Sequence, residues 1–214
     1  SSRIQSGNLI VLGIDPGFKQ GHKMVIMDCT IGHVPRVITH QKIICYEPNQ
    51  INEGSEVLKT LCQRHQVDII AIGNGTGHRL AQMMCDKIIP ELPEHVNVAV
   101  VSEAGASVYS VSPLAEQEYP NEQVIFRGAI SIALRLVDPL CELVKVPPPS
   151  IGVGMYQHDI KEKTLEQRLG GVLEEVVSEI GIDINTASQH VLSYVSGINK
   201  SQATSIVDYR TLHG

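Results

Sequence analysis

Two acidic residues follow apolar segments and could together hold a metal ion. Asp15 closes the run at 9–15 (Leu-Ile-Val-Leu-Gly-Ile-Asp), and Glu103 follows a second apolar run at 96–102. If both runs are strands that end at one edge of a sheet, the two carboxylates lie close together. Such a pair suits a divalent cation such as Mg²⁺, which activates water and stabilises a phosphoryl transition state. The alternative is that both carboxylates only cap turns and helix starts.

The order of the predicted elements explains why these strand ends should meet. Apolar runs and helical spacing predict strands at 9–15, 22–28, 37–46, 67–73 and 96–102, and helices at 52–65, at 78–89 and within 104–146. The first three strands are joined by links too short for helical crossovers, so they should form an antiparallel meander. The later strands alternate with helices, which predicts parallel pairing through right-handed crossovers. This is the order of the ribonuclease H fold, an α/β fold with a mixed five-stranded sheet.

A proline run marks the boundary of a second module. Pro147-Pro148-Pro149 cannot lie in a regular helix interior. The run therefore separates an α/β domain at 8–149 from an all-α module at 150–214.

The all-α module contains a segment, 192–210, with the form of a helix-hairpin-helix. Gly197 permits a tight turn between two helices, and Ser201 or Asn199 can cap the second helix. Ala203 is small enough for the two helices to cross closely.

The hairpin turn predicts a contact with a nucleic-acid backbone. The backbone N–H groups near Gly197, Ile198 and Asn199, together with Lys200, can hold one phosphate at the start of the second helix. Contacts of this kind position a nucleic acid without reading its sequence. The alternative is a plain helical hairpin with a glycine turn.

Composition limits the partners of the chain. The 214 residues carry a formal net charge of −6, so any contact with a nucleic acid must be local. No apolar run approaches the ~20 residues that a membrane span needs. Five cysteines are scattered without CxxC spacing: Cys29, Cys45, Cys62, Cys85 and Cys141. This pattern predicts buried thiols in a reducing, intracellular compartment and leaves nucleus and cytoplasm open.

Several long blocks of sequence carry a family resemblance. They are Ile14-Asp15-Pro16-Gly17, the stretches 71–76, 101–110, 150–159 and 183–188, and the hairpin at 195–210. Together they resemble the bacterial Tex family and its animal counterparts, the S1 RNA-binding domain-containing proteins, over nearly the whole chain. The resemblance implies a YqgF (RuvC-like) domain followed by a helix-hairpin-helix, cut from the centre of a larger protein. It also implies a role in transcription or RNA handling, without established nuclease activity.

The resemblance to RuvC-like nucleases exposes missing acids. Those enzymes take one acid from the start of the final long helix, where this sequence is expected to place Arg127 beside Asp15 and Glu103. They have another carboxylate after the fourth strand, where this chain has Asn74. Asp138 is eleven residues beyond Arg127, or ~16 Å along a helix, which is too far for a direct ligand.

These observations leave three functional hypotheses. The first is a sequence-independent scaffold that binds RNA or DNA without turnover, within a transcription- or RNA-associated protein, and that needs no cofactor. The second is a nuclease that uses Mg²⁺ bound by Asp15 and Glu103 with an unrecognised third ligand. The third is a protein-interaction platform, with the transcription machinery as one conceivable partner.

Overall fold

The chain divides into two compact units, Ser1–Pro139 and Leu140–Gly214. The computed structural model describes residues 7–138, 142, 145 and 200–213. The predicted domain boundary at 149/150 lies outside these residues and stays a prediction.

The first unit is a five-stranded mixed sheet with helices, as the sequence predicts. Its strands are β1 (Ile10–Asp15), β2 (His22–Asp28), β3 (Arg36–Ile43), β4 (Ile69–Gly73) and β5 (Asn97–Val101). Its helices are α1 (Ile51–His65), α2 (His78–Ile88), α3 (Ala106–Ser110), α4 (Pro113–Glu118) and α5 (Val124–Val137), with 3-10 turns at Pro48–Gln50 and Ile89–Glu91. The strand order is β3-β2-β1-β4-β5. The pairs β1–β2 and β2–β3 are antiparallel, and β1–β4 and β4–β5 are parallel.

The third strand is shorter than predicted. It was expected to extend through residue 46, but β3 ends at Ile43. Ile44 and Tyr46 are exposed beyond it, and Pro48 starts a 3-10 turn there. The predicted strand was too long because the apolar residues after Ile43 continue the apolar run in the sequence, although the chain leaves the sheet at Ile43.

Helices cover both faces of the sheet, which explains the continuous apolar run of β1. Alternate β1 residues Ile10, Leu12 and Ile14 belong to a core with α1 and α2. Val11, on the opposite face, belongs to a second core with α5. The two faces of β1 thus serve two separate cores.

Gly13 lets α5 lie directly on β1. A Cβ atom at Gly13 would stand 2.5 Å from the backbone oxygen of Ala129 and 2.8 Å from the Cβ of Ala133. Because α3 packs on α5 as well, all nine residues from Phe126 to Leu134 are buried. This close approach fixes the height of α5 above the carboxyl end of β1.

The described part of the second unit is one helix, Lys200–His213. A helix beginning after the predicted turn is therefore present. Ser201 lies inside this helix and is therefore not the cap that the sequence suggested, and the other candidate cap, Asn199, lies outside the described residues. Ala203 is fully buried. The first helix of the predicted crossing lies outside the described residues, so the crossing stays a prediction.

Two predictions from composition can be compared with the described residues. Cys29, Cys45, Cys62 and Cys85 are free and buried, as predicted, and Cys141 lies outside the described residues. Among the helices that the structure describes, none has the length and apolar character needed to cross a bilayer.

We expect Gly13→Ala to destabilise the protein by about 1–3 kcal/mol, because the added methyl group overpacks a backbone contact. Urea denaturation measures the free energy of unfolding. Adding Ala133→Gly removes the side-chain contact but leaves the Ala129 oxygen 2.5 Å from the new methyl group, so the double variant should not recover. A Gly13→Ala variant within about 0.5 kcal/mol of wild type would contradict this account.

Candidate functional site

Strand register places a lysine beside the first carboxylate. Asp15, the last residue of β1, pairs with Lys23 of β2 in the antiparallel ladder, so both side chains emerge on the face that α5 covers. The Lys23 Nζ lies 3.5 Å from Asp15 Oδ2. The two side chains are only 18% and 22% exposed, respectively, so this ion pair is largely shielded from water.

Glu103 packs against two glycines, Gly73 at the end of β4 and Gly75 just after it. A Cβ at Gly73 would lie 2.6 Å from Glu103 Oε2, and one at Gly75 would lie 1.7 Å from Glu103 Oε1. The Gly75 backbone N–H donates a hydrogen bond to the Glu103 carboxylate. Within the described residues, Oε2 is buried and has no hydrogen-bond partner. The carboxylate is therefore turned toward the backbone and is only partly open to an incoming ligand.

Asn74 forms hydrogen bonds with the backbone at the end of the neighbouring strand, β5. The side-chain oxygen of Asn74 accepts a hydrogen bond of 3.1 Å from the Glu103 backbone N–H. The backbone N–H of Asn74 donates a hydrogen bond of 3.0 Å to the Val101 backbone oxygen. Asn74 thus joins the ends of β4 and β5. The residue that stands where the resemblance predicts an acid has a structural task that positions Glu103.

The expectation that Arg127 lies beside the two carboxylates is wrong. The α5 residue that faces Asp15 is Gly128, where a Cβ would lie 2.8 Å from Asp15 Oδ2. Arg127 is buried, its Nε has no partner, and within the described residues it forms no ion pair with Asp15 or Glu103. Positive charge near the carboxylates comes instead from Lys23, which contacts Asp15, and from Arg135 of α5, whose charge lowers the pKa of Glu103. Asp138 directly follows α5, as expected, at the end remote from Gly128.

A buried histidine fixes the loop after Asp15. The backbone N–H of Gly17 donates to His22 Nδ1 at 3.4 Å, and His22 Nε2 donates to Cys45 O at 3.0 Å. Burial lowers the pKa of His22, which is consistent with a neutral ring that accepts at one nitrogen and donates at the other. Sequence reasoning missed both His22 and Lys23, although both lie in the strand that was predicted to pair with β1.

Burial dominates the electrostatics of the two carboxylates. It raises the pKa of Asp15, and the Lys23 ammonium only partly counteracts this increase. Burial also raises the pKa of Glu103, and the negative charge of Asp15 raises it further. The two acids therefore lie near enough to repel each other. Neither serves as the side-chain cap of α3, whose N-cap residue is Gly105.

The donor set does not fit a two-cation site. One oxygen of Asp15 faces the Lys23 ammonium, and Glu103 has one buried oxygen and accepts a backbone hydrogen bond. Across residues 7–138, 142, 145 and 200–213, no group of three or more His, Cys, Asp or Glu side chains could hold a metal ion. Two cations ~3.5–4 Å apart carry four positive charges, which two acids cannot balance.

The predicted phosphate contact in the second unit is only partly described. Lys200 is the first residue of the C-terminal helix. Gly197, Ile198 and Asn199 lie outside the described residues, so their part in a phosphate contact stays a prediction.

The raised pKa values predict that the acidic pair destabilises the protein at neutral pH. A carboxyl group whose pKa is higher in the folded state favours folding when protonated, and this contribution is lost as pH rises from about 4 through the raised pKa. We expect Glu103→Gln to gain stability relative to wild type between pH 4 and pH 7. Thermal denaturation at both pH values measures the difference. Glu94→Gln, at an exposed position, is the matched control, and an equal pH response in both variants would contradict the assignment.

Comparison with protein-family models identifies both units. The model of the Tex protein YqgF-like domain matches residues 9–137, and that of the helix-hairpin-helix motif matches residues 177–214. Among solved structures, RuvC of Thermus thermophilus in complex with a Holliday junction substrate is similar over 59% of this chain and 91% of its own, with 14% identity and a TM-score of 0.44.

Curated relatives extend the match over nearly the whole chain. Protein Tex of Bordetella pertussis is 43% identical over 98% of this chain and 26% of its own length. Transcriptional accessory protein Tex of Neisseria gonorrhoeae is also 43% identical, over 98% of this chain and 27% of its own length. Human S1 RNA-binding domain-containing protein 1 is 40% identical over 95% of this chain and 20% of its own length. The chain thus spans about a quarter or less of these relatives, from 20% to 27%. With its YqgF-like domain matched at residues 9–137, the chain belongs to the Tex family.

Proposed function

We propose that the chain is a nucleic-acid-binding scaffold that contacts the RNA or DNA backbone without regard to sequence and does not cleave it. The observation that carries the proposal is the combination of a nuclease-type sheet edge, in which Lys23 contacts Asp15, with a matched helix-hairpin-helix motif at 177–214. In this proposal the motif supplies a means of binding, while the two carboxylates described at the sheet edge, Asp15 and Glu103, are too few for two-cation cleavage.

The backbone contact is assigned to the turn at Gly197, Ile198 and Asn199 and to Lys200. Free N–H groups at a helix start favour an anion, and a phosphate is the anion that every nucleotide presents. The net charge of −6 confines such contacts to a local patch. The names of the relatives, a transcriptional accessory protein and an S1 RNA-binding domain-containing protein, support a place beside the transcription or RNA machinery.

Lys200→Glu should weaken binding equally for unrelated sequences. Losing one phosphate contact lowers the slope of log K against log salt by about one. Fluorescence anisotropy with single-stranded RNA and duplex DNA, each in two unrelated sequences and at several salt concentrations, measures affinity and slope. Lys87→Glu makes the same charge change at an exposed position in the last turn of α2 and is the control. Salt-independent binding, or binding that neither variant changes, would favour a protein-interaction platform.

Incubation with branched DNA and single-stranded RNA in Mg²⁺ or Mn²⁺ should give no cleavage by the wild-type chain. The physical reason is that two carboxylates, one of them paired with Lys23, cannot hold the two cations of a nuclease site. Gel analysis of end-labelled substrates measures the products. Cleavage by wild type that disappears in Asp15→Asn would instead establish the metal-dependent nuclease.

A further inference from the structure

We propose that the Lys23 ammonium is the built-in cation of this sheet edge and that it excludes divalent metal ions from Asp15 and Glu103. This inference deepens the proposed function, since it names the group that prevents metal binding at the acidic pair. It assigns Lys23 a positioning and charge-compensating role and makes the edge independent of Mg²⁺.

The position of Lys23 is set by the sheet and not by a mobile loop. Lys23 and Asp15 are direct partners in the β1–β2 ladder. The residue before Lys23 in β2 is His22, which is fully buried. The next residue on the same face of β2, Val25, lies in the core beneath α5. The stem of Lys23 therefore leaves a rigid strand, and only its end is free to adjust.

The ammonium lies close enough to Asp15 to repel a bound ion. Metal ions such as Mg²⁺ and Ca²⁺ lie about 2.0–2.6 Å from their oxygen ligands. The Lys23 Nζ already lies 3.5 Å from Asp15 Oδ2. A divalent ion on that oxygen would therefore lie no more than about 6 Å from Nζ, within range of repulsion by its like charge. Binding would require Lys23 to withdraw from the only carboxylate with which it is paired among the described residues.

Beyond the two carboxylates, the surroundings offer an ion few protein ligands, so an ion bound there would keep most of its water. Gly73, Gly75 and Gly128 surround the two carboxylates and offer no side-chain ligand. The Asn74 oxygen accepts the Glu103 N–H. Lys23 also acts on the second acid, because its charge lowers the pKa of Glu103 against the effect of burial. The Lys23 ammonium thus acts on both carboxylates, and the Arg135 guanidinium of α5 acts on Glu103 as well.

Removal of the ammonium should open the edge to metal ions. Lys23→Met keeps an unbranched side chain and removes the charge. We expect the wild-type 214-residue chain to show no saturable Mn²⁺ binding by titration calorimetry and no rise in melting temperature in millimolar Mn²⁺ or Mg²⁺. Lys23→Met should gain saturable Mn²⁺ binding and a melting temperature that rises with Mn²⁺. The double variant Lys23→Met, Asp15→Asn should lose both, and Lys87→Met, at an exposed position in the last turn of α2, should behave as wild type.

Two results would overturn the inference. One is saturable Mn²⁺ binding by wild type that disappears in Asp15→Asn. The other is a Lys23→Met variant that is folded by circular dichroism and still does not bind Mn²⁺. If Lys23→Met does not fold, Lys23→Gln replaces it, and the wild-type titration decides independently. The anisotropy and cleavage measurements test the proposed function separately, so failure of metal exclusion and failure of nucleic-acid binding give different results.

Discussion

The backbone of α5 lies on the backbone of β1 because Gly13 has no side chain, and the candidate site depends on this contact. A Cβ at Gly13 would stand 2.5 Å from the Ala129 oxygen, so any other residue would lift the helix. At this height, Gly128 of α5 lies over Asp15 and covers the end of β1. The covering helix dehydrates the carboxylate, which raises its pKa. Backbone packing thus creates the electrostatic cost at Asp15.

Because burying Asp15 is unfavourable for its charged form, this edge of the sheet needs a compensating positive charge. Two partly buried carboxylates that repel each other destabilise the folded state unless a positive charge stands nearby. An active metal nuclease supplies this charge with its ions. Here the strand register supplies it with Lys23, at 3.5 Å from Asp15. The pKa of Asp15 nevertheless stays raised, so the single ammonium offsets only part of the cost of burial.

The fold follows from the sequence because its signals are long and local. The apolar runs and the helical spacing predicted all five strands and the order of pairing, and this order alone brought Asp15 and Glu103 to one edge. Side-chain direction was harder. Helix starts are uncertain by one or two residues, and each residue turns a helix by about 100°, so Arg127 and its neighbour Gly128 could not be distinguished. Lys23 was missed because β1 is apolar on both faces, which leaves no alternation to fix the register of its pairing.

Asn74 shows another limit of sequence reasoning. An amide after β4 was correctly recognised as a non-acid, but its hydrogen bond to the Glu103 backbone depends on the distance between two strand ends. That distance follows from the whole sheet. An amide at a position where the resemblance predicts an acid can therefore look like the simple loss of a metal ligand. Here the Asn74 amide accepts a hydrogen bond from the Glu103 backbone and so helps to position Glu103.

Charge and chemistry can be separated at such an edge. An ammonium can replace the charge of a metal ion, so a polyanion such as a nucleic acid meets less repulsion from Asp15 and Glu103. An ammonium has no open coordination position, so it cannot bind a water molecule and lower its pKa as a metal ion does. Under the proposed exclusion of metal ions by Lys23, the edge keeps the charge compensation of a metal site and lacks the ion that would generate a nucleophile. Under the proposed function, such an edge contributes to binding a nucleic acid and not to cutting it.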